Sequence, residues 1–161
     1  LIDGLNWLKS SKLANGNNAC IVGSSYGGYA ALVAGFQTPN LFKCIISMSG
    51  VSDMESQISH WERRGADNYV ENAVSKDPDE MEKVSPIHHV KAFKAPVLLI
   101  HGRSDVRVSF HQSENMHEAL KEAGKKVDYE LFEYGTHHLN DAGNRKQAME
   151  MMEGFLKQYL K

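Results

Sequence analysis

The chain has 161 residues, of which 42% are hydrophobic, and this is enough for one domain with a hydrophobic core. Its formal net charge is −2 with acidic and basic residues interspersed, so nothing favours a nucleic-acid partner or an anionic membrane surface. No apolar run approaches the roughly 20 residues that a membrane-spanning helix needs, which argues against a membrane protein.

The chain opens inside a helical pattern rather than at a starting methionine. Leu1, Leu5 and Leu8 recur at helical spacing, which predicts an amphipathic helix over residues 1 to about 10. No secretory signal is recognisable at this start. Because the chain begins in mid-pattern, we expect residues 1–161 to be a partial domain of a longer protein.

A short apolar run at residues 19–22 predicts a buried strand, and a turn is predicted before it at residues 15–18. The strand leads into Gly23-Ser24-Ser25-Tyr26-Gly27 and then into small, apolar residues that predict a helix. Strand, sharp turn and helix around Gly-x-Ser-x-Gly are typical of a nucleophile elbow, with Ser25 at its apex. The alternative is a glycine-rich turn whose serine has no chemical role.

Two features of this turn support the chemical interpretation. The tight turn needs flanking residues without bulk, and Gly23 and Gly27 are expected to meet that need. The backbone N–H of Tyr26 would lie at the helix N-terminus, where negative charge is favoured. Tyr26 is therefore a candidate donor to an oxyanion.

The rest of the chain alternates strand-like and helical segments. Further strands are predicted at 44–51, 95–102 and 127–134. Helices are predicted to about Phe36, from a capping box at Ser109 and Gln112 to about Gly124, and along an apolar stripe from Ala148 to Leu160. This alternation predicts an α/β fold, with a mostly parallel sheet and helices on both faces.

Residues 53–85 are polar and have no sustained periodicity. They predict either an excursion from the sheet that contributes to a binding surface or a plain solvated connection.

The cysteines and histidines give no sign of a metal or a cofactor. Cys20 and Cys44 fall in predicted buried strands and are expected to be free thiols, which favours a reducing, cytoplasmic compartment. The eight histidines include no His-Glu-x-x-His pattern. We therefore expect no metal site and no cofactor.

Asp105 and His137 each follow a predicted strand, as Ser25 does. The carboxyl ends of parallel strands meet at one edge of a sheet, where ligands bind. A serine hydroxyl needs an adjacent base to become nucleophilic, and an aspartate can hold that histidine in the required tautomer. The order Ser, Asp, His is that of an α/β-hydrolase. His138 is the rival to His137, and spacing alone does not separate them.

The chain resembles the prolyl oligopeptidase family of serine peptidases, in particular its dipeptidyl peptidase and acylaminoacyl peptidase branches. The resemblance is carried by the following segments: Gly23-Ser24-Ser25-Tyr26-Gly27-Gly28-Tyr29, Ser85-Pro86-Ile87, Pro96-Val97-Leu98-Leu99-Ile100-His101-Gly102, Asp105-x-x-Val108 and Ala119-Leu120-x-x-Ala123-Gly124. It implies the C-terminal portion of an α/β-hydrolase fold, with Ser25 as nucleophile, Asp105 as the acid and His137, rather than His138, as the base.

The resemblance also implies a substrate pocket for the residue before the cut bond, formed by Tyr26, Val51, Met54 and Val108. Proline-specific members usually place an aromatic ring near the Met54 position. Methionine is softer and adaptable, which favours broader apolar specificity over strict proline preference.

Two departures from the family pattern bear on function. The β-propeller and the first half of the hydrolase sheet, which supplies the second oxyanion donor, are not in this sequence. The strand at 19–22 is therefore expected to be an exposed edge that could pair with another copy of the chain.

We expect a serine peptidase acting on short peptides, with two alternatives. One is a carboxylesterase with the same triad. The other is a non-catalytic α/β module that binds a partner through its edge strand.

Overall fold

The computed structural model describes residues 2–13, 17–65 and 77–160. Its elements, in chain order, are α1 (Ile2–Ser10), β1 (Ile21–Ser24), α2 (Tyr26–Gln37), β2 (Ile45–Met48), α3 (Met54–Glu62), α4 (Pro78–Val84), a 3₁₀ helix (Pro86–Ala92), β3 (Val97–Gly102), α5 (His111–Glu122), β4 (Val127–Phe132) and α6 (Ala142–Tyr159).

The four strands form one parallel sheet in the order β1-β2-β3-β4. Each strand therefore lies beside its predecessor, and every crossover moves in the same direction. Since such crossovers are right-handed, they all cover the same face of the sheet. Side chains of α2, the 3₁₀ helix and α5 pack on that face, and α6, which follows the last strand, packs on the other. The predicted α/β architecture with helices on both faces is confirmed.

Alternate residues of the central strands belong to the two separate cores. Ile45 in β2 and Leu99 in β3 pack with α2 and α5, whereas Ile46 and Ile100 pack with α6. Both central strands are thus buried on both faces, which explains why they read as continuous apolar runs.

The predicted strand at 19–22 is shifted by two residues, because β1 runs from Ile21 to Ser24. β1 lies at one end of the sheet among the described residues, and Val22 on it is 49% exposed. The prediction that this strand is buried is therefore wrong for Val22. The predicted turn at 15–18 lies partly outside the described residues, which omit 14–16.

Within the polar stretch 53–85, residues 66–76 lie outside the described part of the chain. Two helices flank them. The Asp53 carboxylate accepts a hydrogen bond from Ser56 N at the start of α3, and that of Asp77 accepts one from Asp79 N at the start of α4. Both are N-caps formed by short polar side chains, which a search for apolar periodicity does not detect.

The predicted capping box of α5 is wrong. The residue before α5 is Phe110, and no side chain caps the helix there. The Gln112 side chain instead accepts hydrogen bonds from Ser52 N and Asp53 N, both at 2.8 Å. Buried backbone N–H groups in the loop after β2 need partners, and Gln112 supplies one acceptor for both.

The prediction of free cysteines is also wrong, because Cys20 and Cys44 form a disulfide. They precede the adjacent strands β1 and β2, so parallel pairing brings their Cα atoms to 4.7 Å. The bond removes the reason given above for expecting a reducing compartment. In the described residues, no helix combines the length and apolarity required to cross a bilayer.

Candidate active site

Three turns at the carboxyl edge of the sheet bring Ser25, Asp105 and His137 together. Ser25 follows β1, Asp105 lies three residues after β3, and His137 lies five residues after β4. Because the strands are parallel and in consecutive order, these turns lie side by side. The topology alone therefore positions the three side chains on one edge.

The backbone at Ser25 has the strained conformation of a sharp strand-to-helix turn. Its φ of 57° and ψ of −121° lie in a region that side-chain-bearing residues rarely adopt. A Cβ at residue 23 would lie 2.0 Å from the carbonyl oxygen of Gly27, so the turn requires glycine there. A Cβ at residue 27 would meet nothing within 4 Å. The expectation that Gly27 is needed for lack of bulk is therefore wrong.

The side chains of the three residues are joined by short hydrogen bonds. His137 Nε2 lies 2.9 Å from Ser25 Oγ, and His137 Nδ1 lies 2.7 Å from Asp105 Oδ2. The rival His138 has its Nε2 3.4 Å from Arg107 Nη1, on the exposed side of the loop. The structure thus brings His137 rather than His138 to the serine.

The carboxylate of Asp105 is enclosed by donors. Its Oδ1 accepts hydrogen bonds from the backbone N–H groups of Arg107, at 2.8 Å, and Val108, at 3.0 Å. Burial raises the pKa of this carboxyl, but hydrogen bonds from His101, Val108, His137 and Arg107 outweigh it and bring the pKa well below its usual range. Asp105 is therefore ionised at neutral pH.

Sequence analysis did not assign a role to His101, which also contacts Asp105. Its Nε2 lies 3.3 Å from Asp105 Oδ2, and its side chain is fully buried. The available signal was a histidine at the end of an otherwise apolar strand, four residues before the acid. A polar ring is buried in such a place only when its nitrogens have partners.

The turn after β3 that carries Asp105, called the acid turn, is in close backbone contact with the turn after β4 that carries His137, called the histidine turn. A Cβ at Gly102 would lie 2.3 Å from the carbonyl oxygen of Gly135. Ser104 N donates to Gly135 O at 2.9 Å, and Arg103 N donates to Phe132 O at 3.0 Å. Glycine at 102 therefore permits the approach that places Asp105 beside His137.

Helix α3 packs against the acid turn. Gln57 Nε2 donates to Arg107 O at 3.0 Å, and His60 Nε2 lies 3.2 Å from Val106 O. The polar stretch 53–85 therefore contributes side chains to the site. These contacts favour the interpretation of an excursion that forms part of a surface beside the triad.

The four predicted pocket residues differ in exposure. Val51 and Val108 are buried, Met54 is half-buried against Ile58 and Met81, and Tyr26 is 78% exposed. A cavity of about 540 Å³ includes Tyr26 together with residues of α1 and α2, and Ser25 is not among its lining residues. The pocket formed by the four residues together stays a prediction.

The backbone N–H groups of Ser25 and Tyr26 differ in whether they already have a partner. Ser25 N donates to Met48 O at 2.8 Å, so that N–H is already used within the sheet. Tyr26 is the first residue of α2, and the first N–H groups of a helix have no partner within the helix.

Among the described residues, no group of three or more His, Cys, Asp and Glu side chains could hold a metal ion.

Comparisons with known proteins agree with this geometry. A family model described as "Prolyl oligopeptidase family" matches residues 1–161. Dipeptidyl aminopeptidase BIII of Pseudoxanthomonas mexicana is 27% identical over 172 residues, which cover 99% of this chain and 24% of that protein. The uncomplexed acylaminoacyl peptidase of Pyrococcus horikoshii superposes with a TM-score of 0.85 at 29% identity, over 97% of this chain and 26% of that one.

A third relative carries the word inactive in its name. The Rattus norvegicus protein named inactive dipeptidyl peptidase 10 is 26% identical over 141 residues, which cover 87% of this chain and 17% of that protein. The chain thus spans about a quarter or less of the length of these three proteins.

Proposed function

Because the chain belongs to the prolyl oligopeptidase family, whose model matches residues 1–161, we propose that it carries the catalytic triad of a serine peptidase that cleaves short peptides. The observation that carries the proposal is the continuous chain of hydrogen bonds from Ser25 through His137 to Asp105, at 2.9 and 2.7 Å. A nucleophile, a base and an orienting acid within hydrogen-bond reach are the parts that acyl transfer requires.

In the acylation step, Ser25 Oγ attacks the carbonyl carbon of the scissile amide while its proton passes to His137 Nε2. The tetrahedral intermediate then collapses, the C–N bond breaks, and the leaving amine takes that proton from Nε2. The acyl group remains on Ser25 as an ester. A water molecule attacks this ester, gives one proton to Nε2, and Ser25 recovers it as the acid product leaves.

Asp105 orients the base and stabilises its charged form. Its Oδ2 accepts a hydrogen bond from His137 Nδ1–H, so Nε2 is the nitrogen left free to take a proton from Ser25. Because the pKa of Asp105 is lowered, the carboxylate stays ionised while the imidazolium forms beside it. The acid therefore acts by charge and orientation and does not itself take up the proton.

The negative charge that develops on the substrate oxygen needs N–H donors. We assign one of them to Tyr26 N, since Ser25 N already donates to Met48 O. The substrate side chain before the cut bond would meet Tyr26, Val51, Met54 and Val108. Met54 packs against an apolar cluster on α3 and α4, which suits a pocket for apolar side chains of varied shape.

Two observations favour a different function. A relative is named inactive, and β1 lies at an edge of the sheet among the described residues, so a non-catalytic module that binds through β1 is the rival. The carboxylesterase alternative uses the same triad and differs only in the bond that is cut. Oligomerisation through β1 likewise stays a prediction.

Covalent labelling tests the proposal. The complete protein that contains this chain is treated with a fluorophosphonate, and intact mass is measured with Ser25→Ala as the matched control. We expect one label per wild-type chain and none on the variant, because only an activated serine attacks phosphorus at neutral pH. A wild-type protein that stays unlabelled would contradict the catalytic proposal. Turnover of matched peptide and ester substrates then separates peptidase from esterase.

A further inference from the structure

His101 is a polar ring buried at the end of the apolar strand β3. Its side chain is 0% exposed. Burying a ring with two nitrogens is unfavourable unless both nitrogens are hydrogen-bonded. Both are, because Nδ1 lies 2.7 Å from Ser113 Oγ on α5, and Nε2 lies 3.1 Å from the carbonyl oxygen of Val108 in the acid turn. The ring therefore ties three elements together: β3, the turn after it, and α5.

The partners of the ring fix the position of its proton. A backbone carbonyl can only accept, so Nε2 must carry the hydrogen that is donated to Val108 O. The hydroxyl of Ser113 can donate to Nδ1, which then acts as the acceptor of that bond. The N–H of His101 thus faces the acid turn.

The same N–H reaches the carboxylate of Asp105. The distance from His101 Nε2 to Asp105 Oδ2 is 3.3 Å, compared with 2.7 Å from His137 Nδ1 to that oxygen. Oδ1 already has two backbone donors, from Arg107 and Val108. A carboxylate offers about four acceptor sites, and the His101 N–H, which it shares with Val108 O, lies beside the fourth.

We propose that His101 is a positioning residue for the triad, which holds the acid turn and the Asp105 carboxylate so that Oδ2 faces His137 Nδ1. The proposal rests on the proposed function, since the orientation of Asp105 matters only if His137 acts on Ser25. An apolar residue at 101 would leave Val108 O without this donor, and one side of Asp105 without a partner. The carboxylate could then rotate away from the base.

The test compares three variants in the complete protein. His101→Leu removes both ring nitrogens. His101→Gln places an amide N–H near the position of Nε2. Ser113→Ala keeps the ring but removes the hydroxyl that orients it. His117→Leu is the control, because His117 is a partly buried histidine on α5 whose ring packs against Tyr129, 5.5 Å away between centroids.

Two measurements separate positioning from packing. The first is the rate of fluorophosphonate labelling, with kcat and KM for p-nitrophenyl acetate. The second is the far-downfield proton resonance of His137 Nδ1–H, which reports its bond to Asp105. For His101→Leu we expect labelling and kcat to fall on the order of 10–100-fold, the size expected for a misplaced catalytic group, with KM nearly unchanged. The resonance should shift or disappear.

His101→Gln should recover most of the activity and the resonance, Ser113→Ala should lose less than His101→Leu, and His117→Leu should match wild type. A folded His101→Leu protein with wild-type labelling and resonance would overturn the inference. If His101→Leu does not fold, Ser113→Ala decides, and an unchanged rate and resonance in that variant would be equally contrary. Failure of the wild-type protein to label would instead contradict the proposed function.

Discussion

The two lateral ends of the sheet, the β1 side and the β3–β4 side, differ in how far this chain buries their residues. On the β3–β4 side, the acid and the base are 7% and 5% exposed, and the turns that carry them are in backbone contact at Gly102 and Gly135. On the β1 side, Val22 is 49% and Tyr26 is 78% exposed, and β1 has no strand on its outer edge among the described residues.

The difference separates two parts of the proposed chemistry. In the proposed mechanism, proton transfer depends on the buried pair Asp105 and His137. Substrate and oxyanion contacts depend on Tyr26, which lies on the exposed side. We therefore expect changes on the β3–β4 side to alter the rate of the chemical step. Changes on the β1 side should alter substrate and oxyanion contacts and the local stability of β1.

The largest expected effect is loss of the base. His137→Ala should reduce kcat by on the order of 10⁵–10⁶-fold, because the serine then has no proton acceptor. Its neighbour is the matched control: His138→Ala should stay close to wild type, because that ring points to Arg107 rather than to Ser25. Steady-state turnover of one ester and one peptide by the complete protein checks both. Full activity in His137→Ala would refute the assignment.

Asp105→Asn should lower kcat by about 10⁴-fold, since an amide at this position can donate to His137 Nδ1 and favour the wrong tautomer. The measurement is the pH profile of kcat/KM for both proteins. Because the pKa of Asp105 is lowered, its protonation should not appear in the wild-type profile above pH 4. A loss of less than tenfold would show that the buried side does not control the chemical step.

The same carboxyl also makes stability depend on pH. A carboxyl whose pKa falls on folding stabilises the fold above its unfolded-state pKa of about 3.9, and that contribution is lost as the pH falls through the folded-state pKa. The difference in thermal stability between wild type and Asp105→Asn should therefore be largest near neutrality and shrink in acid. A difference that does not vary between pH 7 and pH 2 would argue against an ionised Asp105.

What the sequence could predict follows the same division. The parallel sheet was predictable because β2 and β3 are apolar on both faces. The proximity of Ser25, Asp105 and His137 was predictable because each follows a strand. The role of Gln112 could not be predicted, because its partners Ser52 and Asp53 lie about 60 residues away in the chain. The contact of His101 with Asp105 also needed the geometry, since an (i, i+4) pair in a strand and turn has no fixed separation.

The disulfide was missed for a related reason. Two cysteines separated by 24 residues look isolated in the sequence, and only the pairing of β1 with β2 shows that they are adjacent. Buried-strand patterns are the same for a free cysteine and a bridged one. Register between strands is a tertiary property, so the pairing could not be deduced from spacing.

Reduction of the Cys20–Cys44 bond tests the β1 side. Closing a loop of this length stabilises a fold by about 3 kcal/mol, chiefly by restricting the unfolded chain. We expect reductant to speed amide exchange at Ile21, whose N–H donates to Cys44 O at 3.0 Å, by up to roughly 10²-fold, with little change in β3 and β4. Hydrogen-exchange mass spectrometry measures this. A Cys20→Ala, Cys44→Ala double variant should already exchange fast and ignore reductant.

Equal acceleration across all four strands after reduction would contradict this comparison. It would mean that the sheet opens as one unit and that the edge strand has no separate stability.

The smallest effect is expected at the elbow itself. Ser25 has a φ of 57°, and a residue with a side chain in such a region is strained by about 1–3 kcal/mol. Ser25→Gly should relieve that strain, although glycine adds about 0.5–1 kcal/mol of backbone entropy to be lost on folding. The net gain should be about 1 kcal/mol, seen as a higher Tm, while fluorophosphonate labelling is abolished.

Ser25→Ala is the matched control for that gain. Alanine also removes the hydroxyl and its bond to His137, but it keeps a Cβ and therefore keeps the backbone strain. The Tm of Ser25→Gly should consequently exceed that of Ser25→Ala, and both should be unlabelled. If the two variants unfold at the same temperature, the turn is not strained. The position of Ser25 at the apex of the turn would then result from the fold alone, without conformational energy stored in its backbone.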